Sequence, residues 1–157
     1  MEIPRMNGLI VIVLLTIVMV LMMVQIPLDF RTHHLSRSAT IGAALVISMS
    51  VVIDAWVSRS LATAGVSVLA TIAVMGVYGI VHRVSPHSLG WGDVLLVVPL
   101  TLAVAYVSVM SVIWWQLAAA TTGAVHAVWV RIRSGSSHVP FGPHLLVSAW
   151  LMLVTSV

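Results

Sequence analysis

The chain contains no cysteine and no lysine, and its only acids are Glu2, Asp29, Asp54 and Asp93. Without cysteine there is neither a disulfide framework nor thiolate-ligated zinc, and the redox compartment leaves no mark on the sequence. Charged residues occupy 7% of 157 positions, against about a quarter in soluble domains, so polar side chains are too few to cover a water-facing surface. Disorder is excluded as well, because disordered chains are poor in apolar residues and this one is 61% hydrophobic. The pI of 10.7 suggests a nucleic-acid partner until the charges are located. Seven arginines against four acids give +3, and they are scattered among loops rather than gathered in a patch. No nucleic acid is expected. Sidedness across a membrane accounts for the excess better.

What the chain has in abundance is long apolar runs. At about 20 residues per crossing, it divides into about six spans, at 8–26, 39–57, 61–81, 94–113, 114–130 and 140–157. Continuous runs without strand alternation point to helices, the only open-ended way to satisfy backbone groups in lipid. The expected fold is all-α, a polytopic transmembrane helical bundle forming one domain. The first run is too long for a signal-peptide core and lacks a small-x-small cleavage site, so it reads as a retained span ended by Pro27. Fourth and fifth spans are expected to meet in a tight turn at Ile113–Trp114. The sixth is short unless 139–143 lies at membrane depth. Arg31, Arg37, Arg83, Arg131 and Arg133 fall on one side, Arg5 and Arg59 on the other. The first side is therefore expected in the cytoplasm, with the N-terminus outside.

In so apolar a chain each acid carries information. Glu2 reads as solvated at the terminus. Asp54, near the outer end of the second span, could face a polar cavity or pair with Arg59. Asp29 closes the first span and Asp93 opens the fourth, so both fall at the same membrane boundary. Two carboxylates sharing a site hold one proton between them, because like charges raise one pKa. One carboxylate can then accept a proton from water while the other polarises a carbonyl. The alternative is that each aspartate only caps or solvates a helix end, a role for which Asp93 is well placed. Gly90 and Gly92 flank Trp91 just ahead of it, and glycine permits close approach by another chain.

Gly90-Trp91-Gly92-Asp93 resembles the GxGD motif of membrane aspartic proteases. Among these, the chain is similar to type IV prepilin peptidases at three places in register. Asp29, Arg31, Leu35, Thr40 and Ile41 fit the family's first-aspartate segment, D-x-R-x-x-x-I-P-N-x-L-T-L. Gly90, Gly92 and Asp93 fit its second. Val139-Pro-Phe-Gly-Pro-His-Leu145 resembles the signature before its last helix. The resemblance implies an aspartic endopeptidase of the inner membrane, facing the cytoplasm, that removes short basic leaders from prepilin or pseudopilin-like proteins. Cleavage in the family follows a glycine, just before the substrate's hydrophobic helix. It further implies that Asp29 and Asp93 are the catalytic pair, with Gly90, Trp91, Gly92 and Arg31 shaping the loop or meeting the substrate. No cofactor is implied.

The chain departs from the family at Ser36-Arg37, where Pro-Asn is usual, and at Leu95, where a lysine is usual. It carries no cysteine-bearing methylating domain, so no methyltransferase activity is expected. Seven histidines raise the question of metal. None shows the i, i+4 pairing with glutamate of a zinc-protease helix, and no metal site is expected; His126, inside the fifth span, is expected to hydrogen-bond within the bundle. Trp56, Trp114, Trp115, Trp129 and Trp150 read as an interfacial aromatic belt. The competing reading is a non-catalytic membrane protein, either a metal or proton carrier or a degenerate family member acting in pilus or secretion assembly. A carrier would depend on Asp54, His126 or the histidine loops, and a peptidase on Asp29 and Asp93.

Overall fold

The computed structural model describes residues 8–32, 36–85, 90–134 and 141–156, and the regular structure among them is entirely helical. Six helices follow one another: α1 Gly8–Thr32, α2 Arg37–Val57, α3 Leu61–Val84, α4 Trp91–Val107, α5 Val109–Ser134 and α6 Gly142–Val154. α1, α2 and α3 are long and apolar enough to cross a membrane. α4 and α6 are apolar but shorter, at 17 and 13 residues. α5 is the longest, but Gln116, Thr121, Thr122 and His126 interrupt its apolar character.

Two boundaries differ from expectation. Pro27 does not end the first helix, which continues to Thr32. A proline removes one N–H from the ladder, and in apolar surroundings keeping the remaining helical bonds costs less than releasing them all. Asp29 is therefore a helical residue rather than part of a loop. The turn between the fourth and fifth helices lies at Ser108, not at Ile113–Trp114. Ser108 is extended, with φ −161° and ψ 121°, and its N–H still closes α4 on the Val104 carbonyl. No glycine or proline marks the break; Ser108 itself does, its Oγ accepting from the Ser111 N–H at 3.4 Å as a cap for α5. A third difference follows from the second: Trp115 is no belt residue. It is fully buried, and its indole N–H donates to the Leu145 carbonyl at 2.9 Å.

α4 is the centre of the bundle. It is apolar on every side, as a helix surrounded by others has to be, and it touches each of the other five. From Asp93 to Tyr106 nearly every residue is buried, with Leu96, Val97 and Leu100 wholly enclosed. α1 and α6 pack against each other on one flank, and α3 lies outermost against α4. The outer surface stays apolar, exposing Leu69, Ile72 and Ile80 of α3 and Met110 and Val125 of α5. A surface of that kind requires apolar surroundings, as in a helical membrane bundle.

The two ends of the bundle are polar, and they differ. At one end lie the α2–α3 and α4–α5 turns. The chain reverses there through Arg59 at φ 55°, and the Tyr106 hydroxyl donates to Asp54 Oδ2 at 2.7 Å. Tyr106 also lies 3.1 Å from the Ser60 hydroxyl. This ties α2 to α4. The opposite end gathers the close of α1, α3 and α5 with the start of α2, α4 and α6, and with them Arg37, Arg83, Arg131 and Arg133.

Candidate active site

One turn before Asp29, α1 carries a glutamine. Gln25 is completely buried, and its amide reaches across to the start of α2. Its Oε1 accepts from the Ser36 N–H at 2.8 Å, while Nε2 donates to the Ser36 carbonyl at 2.9 Å and to Thr40 Oγ1 at 2.8 Å. Ser36 in turn caps α2, its Oγ accepting from the Ala39 N–H at 3.3 Å. One amide of an apolar helix thus satisfies the Ser36 N–H, which the medium would not, and ties α1 to the start of α2 one turn from Asp29. Asp29 itself is 6% exposed.

Asp93 is in the first turn of α4, one residue before the apolar stretch 94–107. Gly90 is the N-cap, extended at φ −70° and ψ 147°. Its backbone hydrogen-bonds the Asp93 carboxylate, and a Cβ built there would stand 3.4 Å from Asp93 Oδ2. Asp93 is 8% exposed. Burial, then the charge of Asp29, push its carboxyl up from 3.8 to about 7, against the opposing Gly90 hydrogen bond. Two buried carboxylates from different helices therefore lie within electrostatic reach at one end of the bundle. A pair so coupled titrates as a unit, and near neutrality it can hold a single proton. That is the state in which one member can donate to a carbonyl while the other accepts from water.

Around the pair, Gly92 is the second residue of α4 and Trp91 is 46% exposed. The Trp91 ring stacks obliquely on His82 of α3, with centroids 5.3 Å apart. Arg31 falls in the last turn of α1, and its side chain lies outside the described residues, as do His33, His34, His87, His138 and the Val139–Pro140 part of the third motif. Phe141, from that motif, presses its ring onto Gly123 of α5, where a Cβ would meet it at 2.7 Å. This contact seats α6 on α5. Asp54 is at the far end with Tyr106 and takes no part in the site. His126 hydrogen-bonds His144 of α6, Nδ1 to Nε2 at 2.9 Å. Among the described residues no three histidine or carboxylate side chains converge to hold a metal.

The sequence expectations passed over Gln25, beside the site, and the buried Tyr78–Gln116 pair of α3 and α5. The signal was available, since the chain has only two glutamines and both fall inside apolar runs, where an amide is costly unless bonded. No family model, curated protein or solved structure matches the chain.

Proposed function

We propose that the chain is a membrane aspartic endopeptidase that trims the short leader of prepilin-like proteins on the cytoplasmic face. The observation that carries this reading is the meeting of Asp29 and Asp93, both buried, at one end of the bundle. In the proposed reaction the carboxylate of the pair takes a proton from water as its oxygen attacks the scissile carbonyl carbon. The protonated partner donates to the carbonyl oxygen. The tetrahedral intermediate collapses and the C–N bond breaks as the first carboxyl passes its proton to the departing amine. The second, now a carboxylate, takes back a proton from a hydroxyl of the intermediate, and the pair returns to its starting state. No acyl-enzyme forms. All six helices cross or enter the inner membrane, and the arginine-rich end, which is also the aspartate end, faces the cytoplasm. Substrate reaches the pair past the Gly90–Trp91–Gly92 turn.

A second reading, a proton or metal carrier, has the His126–His144 contact in its favour. Co-expression with a prepilin bearing a Gly-Phe junction separates the two. The peptidase requires leader loss that disappears in Asp29→Asn and in Asp93→Asn, persists in His126→Ala and persists in chelator. Trimming that survives either aspartate change would sink it.

A further inference from the structure

Among the described residues two buried side-chain donors have no hydrogen-bond partner, Trp150 Nε1 and Gln116 Nε2, and the second belongs to an amide whose other end is held. The Tyr78 hydroxyl of α3 donates to Gln116 Oε1 of α5 at 2.6 Å. Gln116 Nε2 is buried without a hydrogen-bond partner among the described residues. The tyrosine fixes the amide so that its carbonyl is occupied and its N–H groups point away. A buried amide left open costs about 1–3 kcal/mol, and in lipid no water offsets it. An apolar pair in place of Tyr78 and Gln116 would leave no polar group open, so stability alone does not account for this glutamine.

Its depth suggests what it binds. The Ser108 turn joins α4 to α5, and measured from that turn along both helices Gln116 lies about 10 Å deeper than Asp93 at about 1.5 Å per residue. Tyr78 stands on α3, which packs along α4. A peptide bond inside a helix is closed to attack, so a substrate cut at its helix start has to unwind there. About three extended residues, at about 3.3 Å each, cover the distance from the aspartates to Gln116. Unwinding frees backbone carbonyls in a medium that supplies no donors.

Resting on the peptidase reading, we propose that Gln116, positioned by Tyr78, donates to a backbone carbonyl of the unwound substrate segment about three residues beyond the scissile bond. The test uses the full chain in lipid vesicles with a synthetic peptide of basic leader, Gly-Phe junction and apolar helix. Gln116→Leu removes the open amide but strands the Tyr78 hydroxyl, so the pair Tyr78→Phe/Gln116→Leu is the variant expected to fold as stably as wild type. Both are expected to raise KM about five- to tenfold, the worth of one hydrogen bond, with kcat within about twofold. Tyr78→Phe shifts KM the same way by less. A photo-crosslinking side chain at 116, in an Asp93→Asn background, should capture the peptide within the three residues after the junction. An unchanged KM in Gln116→Leu, or capture only on the leader side, overturns the assignment while leaving the peptidase intact. A wild-type protein that cuts nothing but still captures the peptide at 116 would refute the peptidase and keep the binding site; one that does neither refutes both.

Discussion

Asp93→Asn should stabilise the protein at neutral pH while ending its activity, and the size of the gain follows from the burial of the carboxyl. In the fold Asp93 titrates at about 7, against 3.8 for a free aspartate. Between those values the folded chain keeps a proton that the unfolded chain has released. The contribution of Asp93 is therefore fully present below about pH 4 and is lost as pH rises through about 7. At about 1.4 kcal/mol per pH unit the rise amounts to about 4 kcal/mol, an upper bound for a group that keeps some solvent contact. Asparagine is neutral throughout and retains an oxygen for the Gly90 backbone. Wild type and variant should be nearly equal at pH 4 and separate by up to about 4 kcal/mol at pH 8, with the variant the more stable. Reversible unfolding in mixed micelles, followed by tryptophan fluorescence across that range, measures the gap. A gap that fails to widen with pH, or a wild type favoured at pH 8, would refute both the burial and the proximity of Asp29.

Other consequences are simpler to state. Gly123→Ala sets a methyl against the Phe141 ring and should cost about 1–3 kcal/mol through overpacking; pairing it with Phe141→Ala should cost less than the two changes added, by the same unfolding assay. Gln25→Leu strands the Ser36 N–H, while the Ser36 carbonyl keeps its Thr40 donors, and should cost about 1–3 kcal/mol, with leader trimming lowered as α1 loosens from α2 beside Asp29. Because the chain has no cysteine, Arg59→Cys and Arg133→Cys each give a single thiol. In intact cells an impermeant maleimide should label the first and spare the second, and the reverse result would invert the proposed orientation.

The helices were legible because an unbroken apolar run in lipid has few alternatives, and the arginines mark one end of the bundle without any structure. Their limits were less so. Proline is a sound stop signal in water, where freed carbonyls find solvent, and at Pro27 that rule misplaces Asp29 into a loop. At Ser108 the break comes from one extended serine that caps α5, a polar residue in an apolar run with no glycine or proline beside it. The same uniformity hid the role of Trp115, because a tryptophan at an assumed helix end reads as interfacial whether or not it is buried. The two aspartates stood out by rarity. Gln25 and Gln116 were equally rare but carry no charge, and their significance lies in partners on other helices, Ser36 and Thr40 for one and Tyr78 for the other. Those partners are set by packing around α4, which periodicity within a single segment does not encode.

The central claim is that Asp29 and Asp93 together activate water against a peptide bond, and cleavage by the purified protein tests it most directly. The protein in vesicles, given the synthetic leader peptide and read by mass spectrometry, should release the leader with a free glycine carboxylate. Asp29→Asn and Asp93→Asn should each lower the rate by about a thousandfold or more, as expected when either half of an acid–base pair is lost. Tyr106→Phe, at the far end of the bundle, should cut normally. Cleavage at the wild-type rate by either asparagine variant, or loss of cleavage in Tyr106→Phe alone, would contradict the account.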